Sequence, residues 1–162
     1  MTLEFDEYVA ARRTRLVRTV VLLGCPRPDA EDVVQTALLK AYRSWRRVQR
    51  ADSPDAYVHR ILVNTLNDAR SRRWSDEIPS DDLPEAAAPD VDLSVGLAVR
   101  RTLATMSPEH RQVLVLRFFA DLSERDTSAA LGVPAGTVKS RTARALAALS
   151  TSDHLKDVND AH

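Results

Sequence analysis

Apolar residues recur at helical spacing through most of this chain. Phe5, Tyr8, Val9, Leu16, Val20 and Leu23 form one stripe across residues 4–23, and the run Gly24-Cys25-Pro26-Arg27-Pro28 interrupts it. A second stripe, capped by Asp29, places Val33, Val34, Ala37, Leu38, Ala41, Tyr42 and Trp45 on one face of a helix over 29–46, with Asp32, Gln35, Lys40, Arg43 and Arg46 outside it. A loop from Gln49 to Pro54 leads to a third helix over 55–73, with Ser53 at the N-cap and Pro54 at its first position. Its first half buries Tyr57, Val58, Ile61, Leu62 and Leu66. The second half carries Arg60, Asn64, Asn67, Asp68, Arg70, Arg72 and Arg73.

The periodicity stops between Ser75 and Ser94. Prolines at 79, 84 and 89 and three consecutive alanines mark a flexible linker, with a contour of about 65–70 Å and a relaxed span of about 25 Å. Two further helices are expected over 95–105 and 108–119, the latter started by Ser107-Pro108-Glu109 and packing Val113, Leu114, Leu116 and Phe118 or Phe119 inward. Ser123 with Asp126 gives an Asp variant of the capping box, Gly132 closes that helix, and Pro134 presets the next. In the last helix Val138, Thr142, Ala145 and Leu149, with Leu146, form the buried stripe, which leaves Thr137, Lys139, Ser140, Arg141 and Arg144 outside. Two short helices joined by a Gly-Val-Pro turn, the second bearing a basic face, have the layout of a helix-turn-helix DNA reader. The residues after Ser150 are polar and read as a frayed tail.

Charge sharpens this division. The formal net charge is zero, yet basic residues exceed acidic ones by five up to Trp74 and by four from Val95 to Leu149, while residues 76–92 hold seven acidic residues and no Lys or Arg. Two basic blocks therefore flank an acidic bridge, and each fits a polyanion. Forked guanidinium contacts from Arg141 and Arg144 suit guanine edges or phosphates, and the helix N-terminus at Gly136 and Thr137 favours a phosphate. Cys25 is the only cysteine, so no disulfide is expected. His59, His110, His154 and His162 lack metal-ligand spacing and read as surface or partly packed residues. No catalytic motif, metal site or cofactor loop is found at recognisable spacing, so the chain reads as a non-enzyme without cofactors. No apolar run long enough to span a bilayer and no signal-peptide pattern are seen, which predicts a cytoplasmic protein without direct membrane contact.

Four segments, D-A-E-D-V-V-Q-T-A-L-L-K-A-Y (29–42), S-P-D-A-Y-V-H-R-I-L-V-N-T-L-N-D (53–68), S-P-E-H-R-Q-V-L-V-L-R (107–117) and L-G-V-P-A-G-T-V-K-S-R (131–141), resemble the extracytoplasmic-function sigma factors of bacterial RNA polymerase, SigE-like subgroup. The resemblance covers both halves of the chain in order. It implies an all-α fold: sigma region 2 over 1–74, the flexible acidic linker over 75–94, a sigma region 4 helix-turn-helix over 95–150, and a disordered tail over 151–162. It implies that Asp32, Gln35, Lys40 and Arg43 dock on core RNA polymerase. It makes the loop from Val48 to Ser53, with Arg50 and the Arg60, Asn64, Asn67 face, the reader of the −10 element, where a base leaves the stack. Arg70, Arg72 and Arg73 would hold phosphates, and Thr137, Lys139, Ser140, Arg141 and Arg144 would read the −35 element in promoter DNA. The linker would thread the RNA exit path. An anti-sigma protein as partner and a monomeric free state complete the implied picture. Thr142 departs from the family pattern after the K-S-R triplet. Two other readings of the residues stay open: a stand-alone helix-turn-helix regulator, and a helical adaptor that binds only proteins.

Overall fold

The computed structural model describes residues 4–74 and 93–151, over which eight α-helices and two π-type turns form and no strand occurs. Most of the expected linker and the tail beyond Thr151 lie outside the described residues; Leu93 and Ser94, expected in the linker, belong to a helix.

Helix α1 (Phe5–Leu22) ends in a Schellman-type cap. Gly24 takes φ +102°, its N–H donates to the Val21 carbonyl at 3.0 Å, and the Cys25 N–H donates to Val20 at 2.9 Å. Helix α2 (Arg27–Arg43) starts after Pro26 rather than at Asp29, so Asp29 lies in the first turn, where its charge complements the positive end of the helix dipole, and is not the cap. The expected continuous helix to residue 46 breaks at Ser44, and a short α3 (Trp45–Arg50) follows. The break lets Trp45 swing back onto α1, with ring centroids 5.2 Å from Phe5 and 5.6 Å from Tyr8. Tyr42, expected inside, meets the Phe5 ring at a tilt, centroids 4.9 Å apart, yet remains 60% exposed.

Helix α4 (Pro54–Ala69) is capped as its sequence predicts, Ser53 Oγ accepting from the Ala56 N–H at 3.1 Å. It buries Val58, Leu62, Val63 and Leu66; Tyr57 and Ile61 are only half-buried. Residues 70–74 widen into a π-type turn instead of continuing the α-helix. Helix α5 (Leu93–Thr105), α6 (Pro108–Leu114) and a second π-type turn (Val115–Phe119) follow. The turn places Val115 and Leu116 in the core, but both Phe118 and Phe119 stay about half exposed, against the expectation that one would pack inward. Helix α7 (Glu124–Leu131) is capped by Ser123, whose Oγ accepts from Asp126 N–H at 3.0 Å, and Gly132 closes it at φ +69°. Helix α8 (Ala135–Ser150) buries Val138 and Ala145, while Leu146, assigned to the buried stripe, is 45% exposed.

One continuous apolar cluster runs through both halves, from Leu16, Val20, Val34, Val58, Leu62 and Leu66 to Leu103, Val113, Leu114, Leu116, Ala130 and Ala145. Burying each large side chain contributes about 1.5–3 kcal/mol, so these positions dominate the stability. Helix α2 packs on α1 and α4, α6 on α8, and α7 on both α8 and α4. A small polar network fixes the start of α4: Tyr8 donates to Asp55 at 3.0 Å, Arg12 pairs with Asp55 at 2.5 Å, and His59 Nδ1 meets the Asp55 carbonyl at 2.7 Å. His59 is buried, deeper than the surface or partly packed place expected of it, and desolvation lowers its pKa against the weaker pull of Asp55.

Candidate nucleic-acid interface

The expected −35 face rises from α8. Lys139, Ser140 and Arg144 are exposed, Thr137 is half-buried, and Ser140 also donates to the Thr137 carbonyl at 3.2 Å. Arg141 does not project freely. Its guanidinium lies 3.9 Å from the Glu109 carboxylate of α6, and its side chain is only 24% exposed. Residues 137, 141 and 144 still fall on one helical face, because spacings of four and three residues return to the same side. Thr142, whose hydroxyl donates to the Val138 carbonyl at 2.7 Å, faces partly inward beside buried Val138.

The expected −10 residues come from α3 and α4. Arg50 ends α3 and is exposed, and Arg60, Asn64 and Asn67 line the outer face of α4 at helical spacing. The loop expected from Val48 to Ser53 is shorter: Val48 is wholly buried within α3, and only residues 51–53 lie outside helices. A cleft of about 650 Å³ opens here, walled by Ser53, Arg60 and Asn64 on one side and by Arg125, Asp126 and Ala129 of α7 on the other. Arg72 is exposed, and the side chain of Arg73 lies outside the described residues.

Arg70 is placed otherwise than expected. The Schellman-type end of α1 leaves the Leu23 carbonyl outside the helix ladder, and Arg70 turns inward to donate to it. Arg111 of α6 donates to the same oxygen at 3.3 Å, and to the Leu103 and Met106 carbonyls at 2.9 and 3.1 Å. Burial lowers the pKa of both guanidiniums, and the neighbouring Arg70 lowers that of Arg111 further. A side chain at Gly24 would meet both groups, its Cβ falling 2.5 Å from Arg111 Nη1 and 2.6 Å from Arg70 Nη2. Arg111 was not among the residues singled out from the sequence. Nothing in the local pattern marks it, because its partners come from three separate segments.

The expected docking face is the outer side of α2. Asp32, Gln35, Lys40 and Arg43 are exposed, but the Lys40 ammonium is tied to α4 by donating to Thr65 Oγ1 at 3.2 Å. Leu39 and Tyr42, exposed by 52% and 60%, share this face and were missed or placed inside from sequence. Leu39 was legible: it falls outside the 33, 34, 37, 38, 41 stripe, so an apolar residue there points to solvent. An apolar pocket of about 230 Å³ lies between Val99, Leu103, Phe118, Phe119, Leu146 and Leu149.

Among the described residues no cluster of His, Cys, Asp or Glu is placed to hold a metal ion, and no helix is long and apolar enough to cross a membrane. Cys25 is a buried free thiol, pushed up to about 12 chiefly by desolvation, then by Asp29, with Arg70 opposing.

The model for sigma-70 region 2 matches residues 7–75, and that for sigma-70 region 4 matches residues 96–149. The chain is 39% identical over 152 residues to the RNA polymerase sigma-E factor of Streptomyces coelicolor, covering 91% of this chain and 84% of that protein. It is 32% identical over 147 residues to the extracytoplasmic-function sigma factor SigM of Mycobacterium tuberculosis, covering 90% and 75%. Among solved structures, CnrH bound to the cytosolic domain of CnrY is similar with a TM-score of 0.66 at 26% identity, over 95% of this chain and 88% of that one. The sigma factor RpoE of Bartonella quintana, bound to the anti-sigma factor NepR, shares the fold with a TM-score of 0.77 at 24% identity, over 94% and 96%.

Proposed function

Because the chain belongs to the extracytoplasmic-function sigma factors of bacterial RNA polymerase, of SigE-like type, we propose that it binds core polymerase and directs initiation by splitting promoter reading between its two halves. The half up to Trp74 docks through Asp32, Gln35, Arg43 and the exposed Leu39 and Tyr42 of α2, with Lys40 bracing α2 against α4. Arg50, residues 51–53, Arg60, Asn64 and Asn67 read the −10 element, a base taken from the stack lying against the exposed face of α4 and Arg72 holding the strand. The half from residue 95 to 150 enters the −35 major groove with α8. There Arg141 and Arg144 reach base edges or phosphates, Lys139 supplies charge, and Thr137 and Ser140 add hydroxyl contacts.

Polymerase is needed for a physical reason. Each half offers only a handful of cationic contacts, so either alone binds DNA weakly and loses affinity steeply with salt. Seated on one enzyme, the second contact becomes intramolecular and its effective concentration rises. The protein acts in the cytoplasm, as a monomer when free. By analogy with CnrH, solved with the cytosolic domain of CnrY, and the Bartonella factor, solved with the anti-sigma factor NepR, it is held by an anti-sigma protein until released.

The observation that carries this reading is the succession, in one chain, of the two region matches with a basic reading face on each. The test is capture of core polymerase by the purified chain followed by run-off transcription on candidate promoters. Core-dependent, promoter-selective transcripts are expected. A chain that neither binds core nor alters initiation on any template refutes the proposal.

A further inference from the structure

We propose that the residues beyond Thr151 fold back onto the C-terminal half of their own chain and cover its apolar pocket. That pocket, of about 230 Å³, brings together Val99 and Leu103 of α5, Phe118 and Phe119 of the second π-type turn, and Leu146 and Leu149 of α8. All of these belong to the half from Leu93 onward, so the pocket does not depend on how the two halves meet. Phe118 is 50% exposed, and Phe119 and Leu146 are 45% exposed each. Large apolar side chains gathered round one hollow form a contiguous patch, which marks a contact surface where single exposed residues would not. The π-type turn holds them there, sending Val115 and Leu116 into the core and leaving both phenylalanines outside.

The occupant follows from where the chain goes next. Helix α8 ends at Ser150, and Leu149 already lines the pocket, so residues 152–162 start at its edge. Within them Leu155 and Val158 are the large apolar residues, three apart, a spacing that sets both on one side of a helical turn. The stretch from 150 to 155 reaches about 16–18 Å when extended, enough to turn back over the last turn of α8, which rises about 5.4 Å. Charge favours the same seat. Asp153, Asp157 and Asp160 outnumber Lys156 in the tail, while the pocket's rim is cationic. Arg117 lies 5.7 Å from the Phe118 ring centre and donates to the Leu122 carbonyl, and Arg100 adjoins Val99; neither meets a carboxylate among the described residues. A segment tethered this close is at high effective concentration, so two apolar anchors and a few weak charge pairs hold it where a free peptide would not stay bound. Any partner that uses this face has the tail to displace first.

The test is thiol labelling of the full chain by N-ethylmaleimide, in a Cys25→Ser background and with no polymerase or DNA present, so its outcome is independent of the promoter-reading role. Phe119→Cys reports on the pocket, and Lys139→Cys on the exposed reading face of α8. Replacing the tail's anchors, Leu155→Ser together with Val158→Ser, should speed labelling at position 119 at least fivefold and leave position 139 unchanged. Leu146→Cys repeats the measurement on the α8 wall, where the π-type turn is left intact. Equal rates with and without the tail substitutions at both pocket positions overturn the proposal. A rate that slows as protein concentration rises and ignores the tail substitutions gives the pocket to a second copy of the chain, which overturns it as well.

Discussion

Replacing Arg141 by Ala separates base reading from charge and from stability. In the structure Arg141 is held half-buried against Glu109 at 3.9 Å, a pair whose acidic partner is 67% exposed and therefore contributes about 0–1 kcal/mol. Alanine is the better helix former, which offsets part of even that. The folding midpoint should hardly move. At the promoter, a guanidinium forked onto a guanine is worth about 1–3 kcal/mol, or about five- to 150-fold in discrimination at the base it touches. Run-off transcription from templates singly substituted across the −35 element should show the Ala variant losing preference at one or two adjacent positions and keeping it elsewhere. Arg141→Lys keeps the charge but not the planar fork, so it should restore overall activity without the lost preference. A uniform fall on all templates, rescued by Lys, would assign Arg141 to a phosphate instead, and an unchanged profile would remove it from the interface.

Leu66→Ala opens a cavity in the wholly packed face of α4 and should cost about 2–5 kcal/mol in urea unfolding, with lower promoter activity at growth temperature; a loss below 1 kcal/mol would show that the α2–α4 contact can collapse around the gap. His59 has a lowered pKa in the fold, so its neutral form stabilises the protein fully above about pH 6.5, and stability should fall as pH drops from there toward the folded-state value. Denaturation midpoints between about pH 5.5 and 7.5 should carry this slope, and His59→Asn should flatten it; an identical slope in the variant would place the titration elsewhere. Cys25, raised to about 12 and buried, should resist thiol reagents at pH 8 until the chain unfolds, so labelling at the rate of a free peptide thiol would contradict its placement.

The helices were legible where one physical rule decides. Ser53 and Ser123 cap their helices because a side-chain oxygen meets the third N–H onward, and Gly132 closes α7 because it alone adopts positive φ without strain. Prediction failed where a residue answers to a distant partner. Arg70 belongs by its spacing with Arg72 and Arg73, but a carbonyl left over at the end of α1 draws it inward. Tyr42 and Trp45 extend the apolar stripe of α2 on paper, yet the break at Ser44 sends Trp45 to α1 and leaves Tyr42 at the surface. Leu146 and one of Phe118 and Phe119 read as core because apolar periodicity marks a face without saying what covers it. His59 lies deeper than the surface or partly packed place expected of it, because the Asp55 carbonyl satisfies its ring nitrogen there, which periodicity does not weigh. The basic faces of α4 and α8 were visible, but nothing in the residue pattern marked α7 as the helix that stands against one of them.

That contact rests on burial more than on charge. The ion pairs that cross between the halves, Arg125 with Asp52 at 3.7 Å and Arg15 with Asp121 at 3.5 Å, are largely exposed and contribute about 0–1 kcal/mol each. The apolar cluster continuous through both halves supplies the rest, and apolar burial leaves no periodic mark that says which helix of a distant segment will cover a given face.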